Sequence, residues 1–480
     1  MPDANPLYLQ TIDAIKNLVG PKGWRNAVDA SAYYTDPRGR FTGRGHYIVL
    51  PKNTIEVSEV VKHCHQNKIP VIPYSGGTGV VAGQLSLDSD EVVILSLERM
   101  DKIRDISLQD TTMVAEAGCI LANVHDEASE QGMLFPLSMA SKGSCRIGGN
   151  LATNAGGIQV LRYGNARDLC LGIEAVLPDG SILNELSPLR KNNTGYDLRH
   201  LLIGSEGTLG IITAACLSLK PANAETVTAF CAISSSIQAV SLLQQIHSEI
   251  GENVSAIELM SGLGMELLEE HFPQINQPFD EPHDWFVLIE VAGQTGMQQQ
   301  FEAALFTAME NGVVIDAVIA ATETQRNALW DLRENMPEAN RLGGAICNSD
   351  TSVPISQIGT FNQQTALAIH DIHSGLRLNS YGHIGDGNMH HNVFPPVGIS
   401  KPDFVKAHPE MVEAVRMAIN ETTHQCHGAI SAEHGIGRLK VADMEQYADP
   451  VKMQVMRAIK QALDPDGIMN PGVIINVNVQ

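Results

Sequence analysis

No two cysteines in this 480-residue chain are spaced as CxxC. The eight thiols, at Cys64, Cys119, Cys145, Cys170, Cys216, Cys231, Cys347 and Cys426, are scattered, which fits reduced cysteines better than a disulfide framework. Positive charge is also scarce. Lys and Arg number 32 against 54 Asp and Glu, a formal net charge of −22. That argues against a nucleic-acid partner, which needs a cationic surface to replace phosphate counterions. No long apolar run opens the chain, and Asp3 precedes any basic residue, so neither a signal peptide nor a membrane span is expected there. A cytoplasmic location follows as the expectation. Neither glycine-rich segment described below carries the Gly-Lys-Ser/Thr of a phosphate loop, and neither gives a GxGxxG between strand and helix, which disfavours a nicotinamide-binding fold. Internal repeats and low-complexity tracts are absent.

What is present is globular. Hydrophobic residues make up 44% and charged residues 18%. The length exceeds one core and implies two or three domains. Residues 1–34 read as helical. From Tyr47 to about Pro221, short β-runs alternate with glycine-rich turns, including a hairpin over Val176–Leu183 around Asp179-Gly180. After Pro221 the pattern becomes strand 226–233, helix 236–250, strands 254–260 and 284–292, helix 296–311 and strand 313–320. That βαββαβ order predicts a ferredoxin-like sheet with helices on one face. One longer helix is expected at about 322–342. The expected domains are therefore 1–221, 222–450, and a C-terminal segment, 451–480, returning to the first.

Two glycine-rich segments suggest an anion-binding backbone. Ser75-Gly76-Gly77-Thr78-Gly79, continuing to Gly83, follows an apolar strand ending near Pro73, and successive glycines let backbone N–H groups turn inward. Gly148-Gly149-Asn150-Leu151-Ala152-Thr153-Asn154-Ala155-Gly156-Gly157 adds amide and hydroxyl side chains.

The stretch Tyr381-Gly382-His383-Ile384-Gly385-Asp386-Gly387-Asn388-Met389-His390-His391-Asn392 reads as a hairpin. With Asp386-Gly387 as the central pair, His383 should directly oppose His390, and Tyr381 should oppose Asn392, all on one face. Opposed Cβ atoms lie about 4.5–5.5 Å apart, close enough for two imidazoles to chelate one ion. His391 points to the other face. Ser431-Ala432-Glu433-His434-Gly435-Ile436-Gly437 then offers a carboxylate ligand and a base.

These segments, with Gly204-Ser205-Glu206-Gly207-Thr208-Leu209-Gly210-Ile211-Ile212-Thr213 in order after the first two, resemble the FAD-binding domain of the vanillyl-alcohol oxidase superfamily across residues 42–221. The hairpin and the Glu433-His434 stretch resemble the C-terminal half of FAD-linked D-2-hydroxy acid dehydrogenases, the group that includes D-2-hydroxyglutarate and D-lactate dehydrogenases. The resemblance implies an α+β protein: a two-subdomain FAD-binding domain, a ferredoxin-like substrate (cap) domain and a C-terminal helical segment. It implies FAD contacts from Pro73, Ser75, Gly76, Gly77, Thr78, Gly79, Gly83, Pro136, Ser141, Gly148, Gly149, Asn150, Thr153, Asn154, Gly156, Gly157 and Asn470, with Glu206 and Ile212 near the adenosine portion. Thr78 stands where some members attach FAD through a His, so noncovalent FAD is expected. The metal ligands would be His383, His390 and Glu433, holding zinc, with manganese and iron as alternatives. His434 would be the base, Asn392 a substrate contact, and Arg333 the grip on the substrate carboxylate. Electrons would pass to an electron-transferring flavoprotein, a quinone or a cytochrome, and a homodimer is expected. One departure concerns the substrate. Members acting on D-2-hydroxyglutarate usually carry Lys two residues before the Asp of an Asp-x-Ser-x-Pro segment, and here Asn348 precedes Asp350. Arg341 could supply the missing charge. Other readings are an oxygen-using glycolate or D-lactate oxidase, an FAD-binding subunit of a larger oxidase, and a flavin-free metal hydrolase.

Overall fold

The computed structural model describes residues 5–476. Residues 1–4 and 477–480, the ends of the expected N-terminal helix and C-terminal segment, lie outside the described residues. The chain forms two compact units. One comprises residues up to Gly157, Gly164–Ala222 and the stretch from Glu433 on; the other comprises Ile158–Tyr163 and Asn223–Ala432.

The first unit is built on two sheets. The four-stranded sheet runs in the order Trp24–Asn26, Tyr47–Val49, Val93–Ser96, Val71–Tyr74, and its last three strands are parallel. Those strands are apolar on both faces, as a parallel sheet covered on both sides requires. The helix Pro6–Val19 covers one face, with Tyr8, Ile12 and Ile15 buried. It stops at Gly20, well short of the expected 34, because Gly20 caps it with positive φ and Pro21 follows. The second sheet is five-stranded and antiparallel, in the order Ile103–Ser107, Thr112–Glu116, Ile211–Ser218, Cys170–Val176, Ile182–Glu185. All eight cysteines are free and buried.

The chain returns to this unit at Glu433 rather than at 451. The reason is local. Both carboxylate oxygens of Glu206 accept backbone N–H groups, from Ile436 and Gly437, at 2.8 Å each. Arg438 donates to the Leu85 carbonyl at 2.6 Å. Further on, Asn470 N–H bonds Val71 O at 2.9 Å, and buried Lys460 bonds Asp464, Thr208 O and Met469 O.

In the second unit, the strands Glu225–Ile233, Val254–Ser261, Trp285–Gly293 and Asp316–Ile319 and the helices Ser236–Ile250 and Met297–Glu310 form the ferredoxin-like arrangement. The sheet is larger than that motif, however. The hairpin Arg377–His383/Asn388–Phe394 pairs onto Val254–Ser261, and Cys347–Asn348 and Thr351–Ser352, both paired with Asn388–Phe394, bring it to eight strands. Helices cover both faces, not one. Ser236–Ile250 and Met297–Glu310 bury Leu242, Ile246, Phe301 and Leu305 on one side; Gly262–His271, Glu323–Glu334 and Met336–Leu342 bury Met265, Leu332 and Met336 on the other. The single helix expected at 322–342 is broken at Asn335, and Pro337, which has no N–H to donate, sits in the first turn of the next helix. No described helix is long and apolar enough to cross a membrane.

Candidate active site

Within the first unit, the glycine-rich segments converge. Gly149 N–H donates to Ser75 Oγ at 3.0 Å, joining the first two. A Cβ on Gly76 would lie 2.6 Å from Ser144 O, and one on Gly157 1.9 Å from Ser138 O, so the second segment also meets the stretch between Pro136 and Ser141. The third segment joins through Gly204 N–H to Leu151 O and Glu206 N–H to Ala152 O, at 2.9 and 2.8 Å. Asn470 Nδ2 bridges Gly83 O and Glu206 O. Asn154 Oδ1 accepts from Arg167 N–H, Thr153 Oγ1 lies 3.0 Å from Gly149 O, and Ile212 is buried in its strand. Among the described residues, none of the backbone N–H groups of residues 75–84 finds an acceptor in the protein. The amides of this partly exposed, glycine-rich loop are available to an external acceptor, as in an anion-binding nest. That fits a pyrophosphate. Glu206, expected near the adenosine portion, ties the third segment to the returning chain. Its carboxylate is committed to Ile436 and Gly437. Burial pushes its carboxyl up, against the opposing pull of those N–H groups and Lys440.

In the second unit, the hairpin keeps the expected face but not the expected register. Tyr381 pairs with His390 and His383 with Asn388, so the two histidines are diagonal neighbours instead of directly opposed, and Asn392 pairs with Asn379. The cause is Ile384. Its N–H leaves the hairpin to bond Ile257 O at 3.2 Å, and its side chain is fully buried. The turn widens to residues 384–387 and is closed by Asp386, whose carboxylate accepts Asn388 N–H at 3.0 Å. The slip spans an even number of positions, so the side chains stay on the same face. The imidazole centroids of His383 and His390 lie 5.9 Å apart.

Both rings are oriented by their Nδ1 atoms. His383 Nδ1 is 2.6 Å from Glu258 Oε1, and His390 Nδ1 is 3.3 Å from Ser349 O. Carboxylate and carbonyl are acceptors only, so each Nδ1 carries a hydrogen, and in the neutral ring Nε2 keeps its lone pair. Metal-binding histidines are typically anchored in this way. His391, on the opposite face, bonds Asn362 and stacks edge-on against Phe361, and burial pushes its pKa down to about 3.

Arg333 is buried. Its Nε donates to Glu258 Oε2 at 2.6 Å, its Nη2 lies 3.5 Å from His383 Nε2, and its guanidinium sits 4.8 Å from the Tyr381 ring centre. Any grip on a carboxylate must therefore use the terminal nitrogens, because Glu258 takes the Nε edge. Burial pushes the Glu258 carboxyl up, but His383 and Arg333 hold it below the usual range. Glu258 was missed in the sequence. Its only signal is one acid in the apolar strand Val254–Ser261. Asn392 is buried with Nδ2 unpaired among the described residues, and Asn348 opposes it across the ladder, exposed. Arg341 is exposed and paired with Glu338 at 2.6 Å. Asp350 accepts from Asn388 Nδ2 at 3.2 Å and from Ser431 Oγ at 3.3 Å. Glu433 follows two residues later, and its carboxylate stands 4.0 Å from the imidazole of His434.

Residues 222–474 match the family described as FAD linked oxidases, C-terminal domain, and residues 46–185 match an FAD binding domain. The chain is 35% identical to a mitochondrial D-2-hydroxyglutarate dehydrogenase of Arabidopsis thaliana, over 97% of this chain and 80% of that one. The chain belongs to the FAD-linked D-2-hydroxy acid dehydrogenase family. A D-2-hydroxyglutarate dehydrogenase of Xanthomonas citri pv. viticola is 36% identical, over 94% of this chain and 93% of that one. A putative mitochondrial D-lactate dehydrogenase of Schizosaccharomyces pombe is 32% identical, over 96% and 89%. The fold is also that of p-cresol methylhydroxylase, with a TM-score of 0.75 at 18% identity over 99% and 98% of the two chains. This family member is an FAD-dependent oxidoreductase with the vanillyl-alcohol oxidase type of fold.

Proposed function

We propose that the protein oxidises a D-2-hydroxy acid to the 2-oxo acid, with noncovalent FAD and a divalent ion. The observation that carries this reading is the face shared by Arg333, His383 and His390, where a carboxylate-binding cation lies 3.5 Å from an imidazole lone pair. A 2-hydroxy acid presents its carboxylate and hydroxyl on adjacent carbons, a spacing suited to two such neighbours. The terminal nitrogens of Arg333 hold the α-carboxylate by charge-assisted hydrogen bonds. Asn392 Nδ2 supplies a donor to the substrate. His383 and His390, with Glu433 as the third ligand that the family resemblance implies, would hold a divalent ion. Such an ion, zinc before manganese or iron, would supply Lewis acidity to the substrate hydroxyl. The His434 imidazole takes the hydroxyl proton as general base. FAD, cradled by the amides of residues 75–84, supplies the hydride acceptor. An electron-transferring flavoprotein, quinone or cytochrome then accepts the electrons. The substrate is of the D-2-hydroxyglutarate or D-lactate type; Asn348, standing where the Lys is expected, leaves a second carboxylate without that partner.

Anaerobic mixing of the purified protein with paired D- and L-2-hydroxy acids tests this. The D-enantiomer should bleach the flavin band, and the L-enantiomer should do so far more slowly. Equal rates, or no bleaching with any member of the panel, would overturn the reading.

A further inference from the structure

We infer that Glu258 is a positioning residue that sets both the substrate-binding arginine and one metal-binding histidine. This rests on the proposed metal and substrate roles above. Glu258 is fully buried in the middle of Val254–Ser261, where an ionised carboxylate is costly unless every oxygen is paired. It has two such partners. Oε1 takes His383 Nδ1 and Oε2 takes Arg333 Nε, each at 2.6 Å.

The pairing has two chemical consequences. A carboxylate at Nδ1 holds His383 in the tautomer whose Nε2 lone pair faces outward, and it raises the basicity of that nitrogen. The same group, gripping the Nε edge of Arg333, turns the terminal nitrogens of the guanidinium toward His383. One carboxylate therefore fixes the spacing between the α-carboxylate grip and an ion ligand. Apolar residues of similar size would fill a purely structural site as stably or more so. Glu290, on the neighbouring strand, shows a different use of a buried acid, accepting among the described residues from the neutral donors Trp330, Thr228 and Ser255.

Glu258→Gln separates positioning from structure. A Gln oxygen can accept from His383 or from Arg333 but not from both, and its amide N–H groups face the remaining donor. The readouts are the Kd of the FAD-loaded full chain for Mn²⁺, followed through the free-ion magnetic resonance signal, and the KM and kcat for the best D-2-hydroxy acid. Flavin content and the unfolding midpoint serve as fold controls. We expect the Mn²⁺ Kd to rise about 10–100-fold, and KM to rise more than kcat falls, with flavin content unchanged. Glu258→Asp retains the charge and should recover part of the metal affinity; if the Gln variant does not fold, the Asp variant is compared with wild type on the same two readouts. Wild-type protein that binds no Mn²⁺ would overturn the metal reading and this inference with it. Wild-type binding with an unchanged Kd and KM in the variant would overturn this inference alone.

Discussion

Asn348→Lys is expected to shift substrate preference toward a dicarboxylate. Asn348 opposes Asn392 in the ladder, so both side chains emerge on the face that carries His383 and His390. Asn348 is exposed, and this sets the magnitude. An ion pair at an exposed position contributes about 0.2–1 kcal/mol, because water screens both charges. With tenfold in rate for about 1.4 kcal/mol, the ratio of kcat/KM for D-2-hydroxyglutarate to that for D-lactate should rise roughly 1.4- to 5-fold. The gain should shrink with added salt, as screening requires. Steady-state dye reduction with both substrates at two ionic strengths measures it. A ratio that stays flat or falls would show that the substrate tail does not pass residue 348.

Three further outcomes are expected. Acid precipitation should release all the flavin into the supernatant, since Thr78 offers no imidazole for attachment, and colour in the pellet would contradict this. Glu174 accepts from Thr54, Arg104 and Thr213; burial pushes its carboxyl up, but these partners hold it below the usual range. Its stabilisation is therefore present above about pH 4.3, the ordinary glutamate value, and is lost as pH falls from there through the lowered value; Glu174→Gln should flatten the acid side of a urea-midpoint profile, and parallel profiles would refute it. Gly387 has φ +82°, and a Cβ there would lie 2.0 Å from Val353 O. Gly387→Ala should cost about 1–2 kcal/mol from backbone strain alone, more with the clash, and an unchanged unfolding midpoint would refute that account.

Local signals made much of this molecule legible. Hydrophobic periodicity marked the six elements of the ferredoxin-like core, and Asp386-Gly387 marked the hairpin. The hairpin face survived an error in register because side chains repeat every two residues and the slip was even. What was hidden depends on distant partners. The slip itself comes from Ile257, more than a hundred residues before Ile384, and nothing near Asp386 announces it. Glu258 meets Arg333 across 75 positions and His383 across 125. A lone acid in an apolar strand gives no hint of which partners will pair with it. Glu206, which the family resemblance places near the adenosine portion, also accepts from the backbone of a segment 230 residues later, and nothing local announces that partner.

The division of the chain also limits how it can be rearranged. The backbone passes from one unit to the other four times, after Gly157, Tyr163, Ala222 and Ala432. The first excursion is only six residues, yet Arg162 donates to Ala292 O at 2.7 Å and Leu161 fills the space a side chain at Gly385 would need. A fragment cut as 223–432 would lack this plug and expose the turn of the hairpin. The second unit is therefore not a portable module. Swapping it between relatives to exchange substrate preference would require carrying residues 158–163 along, and a single proteolytic nick at any one crossing would leave the two halves covalently joined through the other three.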